Sequence, residues 1–176
     1  YHKGTLYISI ADVYSLMKNH TNALKYYKMS IDILKHESDS ILLATALYNL
    51  GDEYLKTDLP DSALHYIKEA SMIANKIDYQ IGQAYCLGNL GVIYLKKGKQ
   101  VLAETYLNQS IVMLEQMNEY KAICEFLLSI AEINQKKSNL GVAIQYADRS
   151  LTLATQYGLK NEISQANLTL SELYEA

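Results

Sequence analysis

Two stretches decide the fold: Leu47-Tyr-Asn-Leu-Gly-Asp-Glu-Tyr-Leu-Lys56 and Leu87-Gly-Asn-Leu-Gly-Val-Ile-Tyr-Leu-Lys96, which carry the same pattern one repeat apart. The shift that superimposes Leu47 on Leu87 also aligns small residues along the whole sequence without an insertion, at Ala11, Gly51, Gly91, Ala131 and Ser171. The same shift aligns four alanines, at Ala23, Ala63, Ala103 and Ala143. A period held this strictly indicates a repeat architecture.

The pattern inside each unit predicts two helices. Apolar residues recur at three- and four-residue steps, and the 176 residues contain only one proline and eight glycines. Polar turns at residues 18–22, 57–61, 97–100 and 137–141 separate the two helices of each unit. The small residues let paired helices approach closely. Because one helix pair cannot bury its own apolar faces, we expect an all-α solenoid of stacked antiparallel pairs.

The recurring positions resemble the tetratricopeptide repeat, as in Leu47, Leu50, Gly51, Tyr54 and Ala63. The resemblance implies a right-handed α-solenoid and a binding function. It covers a single domain over residues 1–176, with units at about 4–40, 41–80, 81–120 and 121–160 and a partial unit at 161–176. The 40-residue period is similar to the repeats of bacterial sensor and regulator proteins, and we expect the chain to be a fragment of a longer protein.

Composition argues against several partners. The formal charge is −3 and Arg149 is the single arginine, so direct nucleic-acid binding is not expected. Apolar runs are too short to cross a bilayer, so no membrane insertion is expected in this segment. Cys86 and Cys124 lack metal-ligand spacing and are interpreted as buried free thiols. We expect no metal and no cofactor.

Catalysis is not predicted. Asp12, Asp52, Glu132 and Glu172 recur at one repeat position, which places them on neighbouring helices about 10 Å apart, too far for a shared proton. The four histidines show no metal-ligand spacing in the sequence. We therefore expect a protein without enzymatic activity.

The face that lines the concave groove in proteins resembling this one carries the candidate binding residues. These are Thr45, Tyr48, Asn49, Asp52, Lys56, Tyr85, Asn89 and Lys96. Asn49 and Asn89 occupy the same position in adjacent repeats, and their amides could clamp a peptide backbone or bond neighbouring helices. Tyr48 and Tyr85 offer flat apolar area with a polar tip, or serve in packing. Lys56 and Lys96 either attract an acidic partner or form a solvated row.

The sequence favours a protein- or peptide-binding module, the sensing or interaction region of a bacterial signalling protein. One alternative is a self-association scaffold or homodimer, favoured by apolar Ile163, Leu170 and Leu173 in the last helix. Another is a receptor for short signalling peptides, with Asn49 and Asn89 as the backbone clamps. The compartment is left open, with cytoplasm favoured over periplasm.

Overall fold

The computed structural model describes residues 3–176, which form nine α-helices and no strand. In chain order the helices are α1 (Lys3–Leu16), α2 (His20–Leu34), α3 (Ser40–Lys56), α4 (Pro60–Lys76), α5 (Gln80–Lys96), α6 (Gln100–Met117), α7 (Tyr120–Lys136), α8 (Leu140–Gln156) and α9 (Lys160–Glu175). From His20 onward the first residues of the helices are evenly spaced, so each complete repeat unit holds two helices. This confirms the predicted all-α solenoid class of antiparallel helix pairs.

The turns explain why the period is so strict. One residue in most turns adopts a left-handed backbone, with φ between 52° and 72°, at Lys18, Asp58, Asp78, Gly98, Asn118, Ser138 and Gly158. The residue that follows then donates its backbone N–H to the last helical turn, as Lys99 does to the Tyr94 carbonyl over 2.8 Å. A turn closed in this way ends each helix at a fixed place and starts the next one after a fixed number of residues.

The chain divides into two compact units, one ending at Asn89 and the other beginning at Leu90. In the first unit, α1 packs on α2, α2 on α3 and α3 on α4. A Cβ on Gly51 would lie 2.6 Å from the Cδ1 atom of Ile67, so glycine permits the close approach of α3 and α4. Stacked tyrosine rings 5.5 Å apart brace both pairs, Tyr14 on Tyr26 and Tyr54 on Tyr66.

In the second unit, α7 packs against α6, α8 and α9. Gly91 repeats the role of Gly51, since a Cβ there would lie 2.6 Å from the Cγ atom of Leu107. Of the three residues of the last helix taken to favour self-association, Leu170 and Leu173 are buried in a core cluster that includes Ala131, Ala143 and Ala147, and Ile163 is half-buried. The single domain over residues 1–176 stays a prediction, and its first two residues lie outside the described part.

Candidate functional site

Four of the candidate binding residues line one cavity in the first unit. Thr45, Tyr48 and Asn49 come from α3 and Tyr85 comes from α5, around a volume of about 300 Å³. The four side chains are half-buried and form part of its rim. The Tyr48 and Tyr85 rings lie 5.4 Å apart at an interplanar angle of 50°. The structure therefore brings together residues that belong to two different repeats of the sequence.

The floor of the cavity is apolar and fully covered. It consists of Ala44, Ala70, Ala74 and Cys86, each no more than 3% exposed. Burial raises the pKa of the Cys86 thiol to about 12, so this thiol is neutral at ordinary pH. Both cysteines are buried free thiols, as expected. An apolar floor beneath a rim of hydroxyl and amide groups is the usual chemistry of a ligand pocket, and 300 Å³ lies at the small end of the size range.

One wall of the cavity depends on a glycine. Tyr79 lies against Gly82, at whose position a Cβ would stand 2.4 Å from the tyrosine Cδ1 atom. The backbone beside it is held in place, because the Ala74 carbonyl accepts the Tyr79 backbone N–H at 2.8 Å and the Gln83 side-chain amide at 3.2 Å. This wall was missed by reasoning from the sequence.

Both candidate asparagines donate to an aspartate of the preceding repeat. The distance from Asn49 Nδ2 to Asp12 Oδ1 is 3.4 Å, and Asn89 Nδ2 lies 3.4 Å from Asp52 Oδ1. A carboxylate only accepts hydrogen bonds, so each amide turns its nitrogen toward the aspartate. Asn49 is half-buried, whereas Asn89 is 4% exposed. The amides therefore link neighbouring helices in this structure, and their role as peptide clamps stays a prediction.

A second, polar cavity of about 230 Å³ adjoins the first one at Asn49. Its lining includes Asp12, Tyr27, Asp52 and Lys56. The Tyr27 hydroxyl donates to Asp12 over 2.6 Å. Burial, reinforced by the Asp12 carboxylate, raises the pKa of Tyr27 well above its ordinary value. The phenol therefore stays protonated and keeps donating to Asp12.

The candidate lysines differ in their surroundings. Lys56 pairs with Asp52 over 2.9 Å, and its Nζ atom lies 3.5 Å from Glu53. Burial alone would lower the pKa of Lys56, but these two carboxylates outweigh it and raise the pKa. Lys96 is exposed near the end of α5. Lys56 therefore belongs to the polar cavity, while Lys96 lines neither of the two cavities described above.

A buried carboxylate cluster was also missed. Glu53 is fully buried, and its two oxygens accept from the Ser15 hydroxyl and from His20 Nδ1, each over 2.6 Å. The cluster joins α1, the start of α2 and α3. Its signal is present in the sequence, because the positions equivalent to Glu53 in the first and third repeats carry Val13 and Ile93. A charge in an otherwise apolar register indicates a buried polar contact.

Among residues 3–176, no three or more His, Cys, Asp or Glu side chains are grouped so as to hold a metal ion. In that range no helix combines the length and apolar character needed to span a membrane.

Comparison with known proteins gives a family and a fold. Residues 3–76 match the family model of the tetratricopeptide repeat. No curated protein sequence matches the chain. Many solved structures match the fold, among them aspartyl phosphate phosphatase F from Bacillus subtilis, with a TM-score of 0.81 and 18% identity over 98% of this chain and 45% of that one.

Two further matches are complexes. A Rap protein complexed with competence and sporulation factor has a TM-score of 0.83 at 16% identity, over 99% of this chain and 52% of that one. The Rap conjugation gene regulator of the plasmid pLS20, in complex with a Phr peptide, has a TM-score of 0.78 at 16% identity, over 96% of this chain and 50% of that one. The chain thus spans about half the length of these proteins, and at such identities the likeness shows the fold alone. The tetratricopeptide repeat match thus covers residues 3–76, and the same helix-pair fold continues over the rest of the described chain.

Proposed function

We propose that this protein is a non-catalytic peptide-binding module whose ligand lies on the concave face of the first unit. The observation that carries the proposal is the cavity rimmed by Thr45, Tyr48, Asn49 and Tyr85. These are the residues that the repeat pattern places on the binding face, and they surround an apolar floor. The fold is also that of proteins solved in complex with the competence and sporulation factor and with a Phr peptide.

The chemistry of the rim suits an extended peptide. An asparagine amide has two donors and a carbonyl acceptor, and Asp12 occupies one donor of Asn49. The remaining groups match the alternating N–H and C=O groups of a peptide backbone. Tyr48 and Tyr85 supply rigid aromatic area of the kind that dominates binding energy at interfaces. We infer that the whole protein uses this site to sense a peptide signal in a bacterial regulatory system.

A random-peptide display library selected on the purified chain tests the proposal. Enriched peptides are measured by fluorescence polarisation against the wild type, Asn49→Ala and the control Asn108→Ala, which changes an exposed asparagine on α6. We expect a loss of about tenfold or more for Asn49→Ala and no change for Asn108→Ala. Failure to enrich any peptide, or equal binding by all three proteins, would overturn the proposal.

Self-association is a second candidate, favoured by the apolar surface of α1. Leu6 and Val13 are each 55% exposed, whereas Ala46 and Ile93 at equivalent positions of later repeats are fully buried. Leu16 and Met17 extend this surface at 83% and 68% exposure. Light scattering across a concentration series measures the molar mass of the wild type and of Val13→Lys, and self-association through α1 should raise the mass of the wild type alone. A constant monomer mass for the wild type excludes this candidate.

A further inference from the structure

The cavity beside Tyr48 and Tyr85 is lined by two residues, Ala74 and Gly82, that are smaller than some of their repeat equivalents. Ala74 in α4 stands where the first and third repeats carry Leu34 and Leu114. Both leucines are fully buried. Gly82 in α5 stands where an earlier repeat carries Leu42. The cavity therefore occupies space that a leucine fills elsewhere in the same chain.

The coincidence of the two small residues is confined to one place in the repeat array. The fourth repeat also carries an alanine, Ala154, but Glu162 stands at the position of Gly82. At the end of the third repeat, Ala122 stands at the position of Gly82, but Leu114 stands at the position of Ala74. Only the junction of the second and third repeats combines both losses of volume, and that junction holds the cavity.

The Tyr79 ring takes up the room beside Gly82, where a Cβ would lie 2.4 Å from it, but the space over Ala74 stays open. The Tyr79 and Gln83 hydrogen bonds to the Ala74 carbonyl hold the end of α4 against the start of α5. Half-buried Tyr48 and Tyr85 stand beside the opening with their rings 5.4 Å apart. Filling an apolar space of this kind recovers contacts that its lining atoms lack.

We propose that the cavity is a socket for one aliphatic side chain of the ligand, of the size of leucine, isoleucine or methionine. The side chain would take the place that Leu34 and Leu114 hold in their own repeats, over the floor of Ala44, Ala70, Ala74 and Cys86. The rim chemistry excludes a charged tip, because no ionisable group other than tyrosine and the neutral Cys86 thiol lines the cavity. This inference rests on the proposed function and names the ligand class for it.

The test uses the tightest peptide selected on the wild type and a scan that changes each of its positions to alanine. Ala74→Leu fills the socket with the residue that Leu34 and Leu114 provide in other repeats. Ala154→Leu is the matched control, because it makes the same change at the equivalent position of the fourth repeat, outside the cavity. Circular dichroism and urea unfolding verify that each variant is folded.

We expect one aliphatic peptide position at which alanine weakens binding to the wild type about 10- to 100-fold. Ala74→Leu should weaken binding of the parent peptide by a similar factor and should bind the parent peptide and the alanine peptide equally. Ala154→Leu should stay within about threefold of the wild type. Binding that needs Asn49 but tolerates Ala74→Leu overturns this inference and leaves the proposed function standing. If Ala74→Leu does not fold, the wild-type scan decides, and a peptide without a sensitive aliphatic position overturns the socket. A library that yields no peptide overturns both proposals.

Discussion

Glu53→Ile is expected to destabilise the protein by about 2–4 kcal/mol, although isoleucine is the residue that Ile93 and Ile133 provide at equivalent positions. The buried carboxylate accepts from Ser15 and His20 over 2.6 Å each. Hydrogen bonds to a charged group contribute about 1.5–3 kcal/mol each, so two of them amount to roughly 3–6 kcal/mol. The apolar burial of isoleucine and the release of a buried charge offset part of this loss.

Removing the donors together with the carboxylate should reverse most of the effect. The triple variant Ser15→Leu, His20→Leu and Glu53→Ile takes its residues from Leu55, Leu140 and the isoleucines of the later repeats. Well-packed apolar replacements of a buried polar group are often neutral or stabilising. Lys56, which lies 3.5 Å from Glu53, keeps its ion pair with Asp52 over 2.9 Å. We therefore expect the triple variant to lie within about 1 kcal/mol of the wild type.

Urea unfolding followed by far-ultraviolet circular dichroism measures both free energies, and the single variant should also melt roughly 5–15 °C lower. Glu132→Gln is the control, because its ion pair with Lys136 is about half exposed and contributes less than about 1 kcal/mol. An unchanged midpoint for Glu53→Ile would refute the reasoning. So would a triple variant that is no more stable than the single one.

Three further predictions concern helix packing, a helix N-cap and the buried Cys86 thiol. Gly91→Ala should lower the free energy of unfolding in urea by about 1–3 kcal/mol, because its Cβ would lie 2.6 Å from Leu107 Cγ. At Gly141 a Cβ meets nothing within 4 Å, so Gly141→Ala should raise the free energy of unfolding by up to about 1 kcal/mol. Equal effects would contradict this. Asp39→Ala removes the side-chain acceptor for the first turn of α3 and should cost about 1 kcal/mol, and a loss below about 0.3 kcal/mol would count against the cap. Burial raises the pKa of Cys86 to about 12, so above about pH 9 unfolding releases a proton and the free energy of unfolding should fall as pH rises. Urea titrations between about pH 8 and pH 10.5 should show a smaller fall for Cys86→Ala than for the wild type. Equal falls for the two proteins would refute this assignment.

The helices could be predicted from the sequence because their boundaries depend on local signals repeated many times. The turn residues at 57–61 and 97–100 coincide with the gaps between α3 and α4 and between α5 and α6. The small residues Gly51 and Gly91 were expected to permit close helix approach, and both do. Signals of this kind act within a few residues, so averaging over repeats strengthens them.

The candidate site was predictable only in part. Helix periodicity places Tyr48, Asn49 and Tyr85 on one face, and all three line the cavity. The same reasoning gave no hint of the cavity itself, because its volume depends on Ala74, a residue of a different helix. Periodicity also cannot identify hydrogen-bond partners between repeats, such as Asp12 for Asn49.

Departures from the internal repeat carry the information that periodicity lacks. A charged residue in a buried apolar register is tolerated only when its partners change with it. Ser15 replaces the leucine found at Leu55 and Leu95, and it supplies one of the two short donors to Glu53. Ser15 and Glu53 therefore depart from the repeat pattern together, one in each of two neighbouring repeats, and the charge at Glu53 is the signal that a partner should be sought. The same logic applies to Ala74 and Gly82, whose separate losses of volume coincide at one junction. In a chain built from equivalent units, the unit that breaks the pattern at several contacting positions is the one where a specific site should be sought.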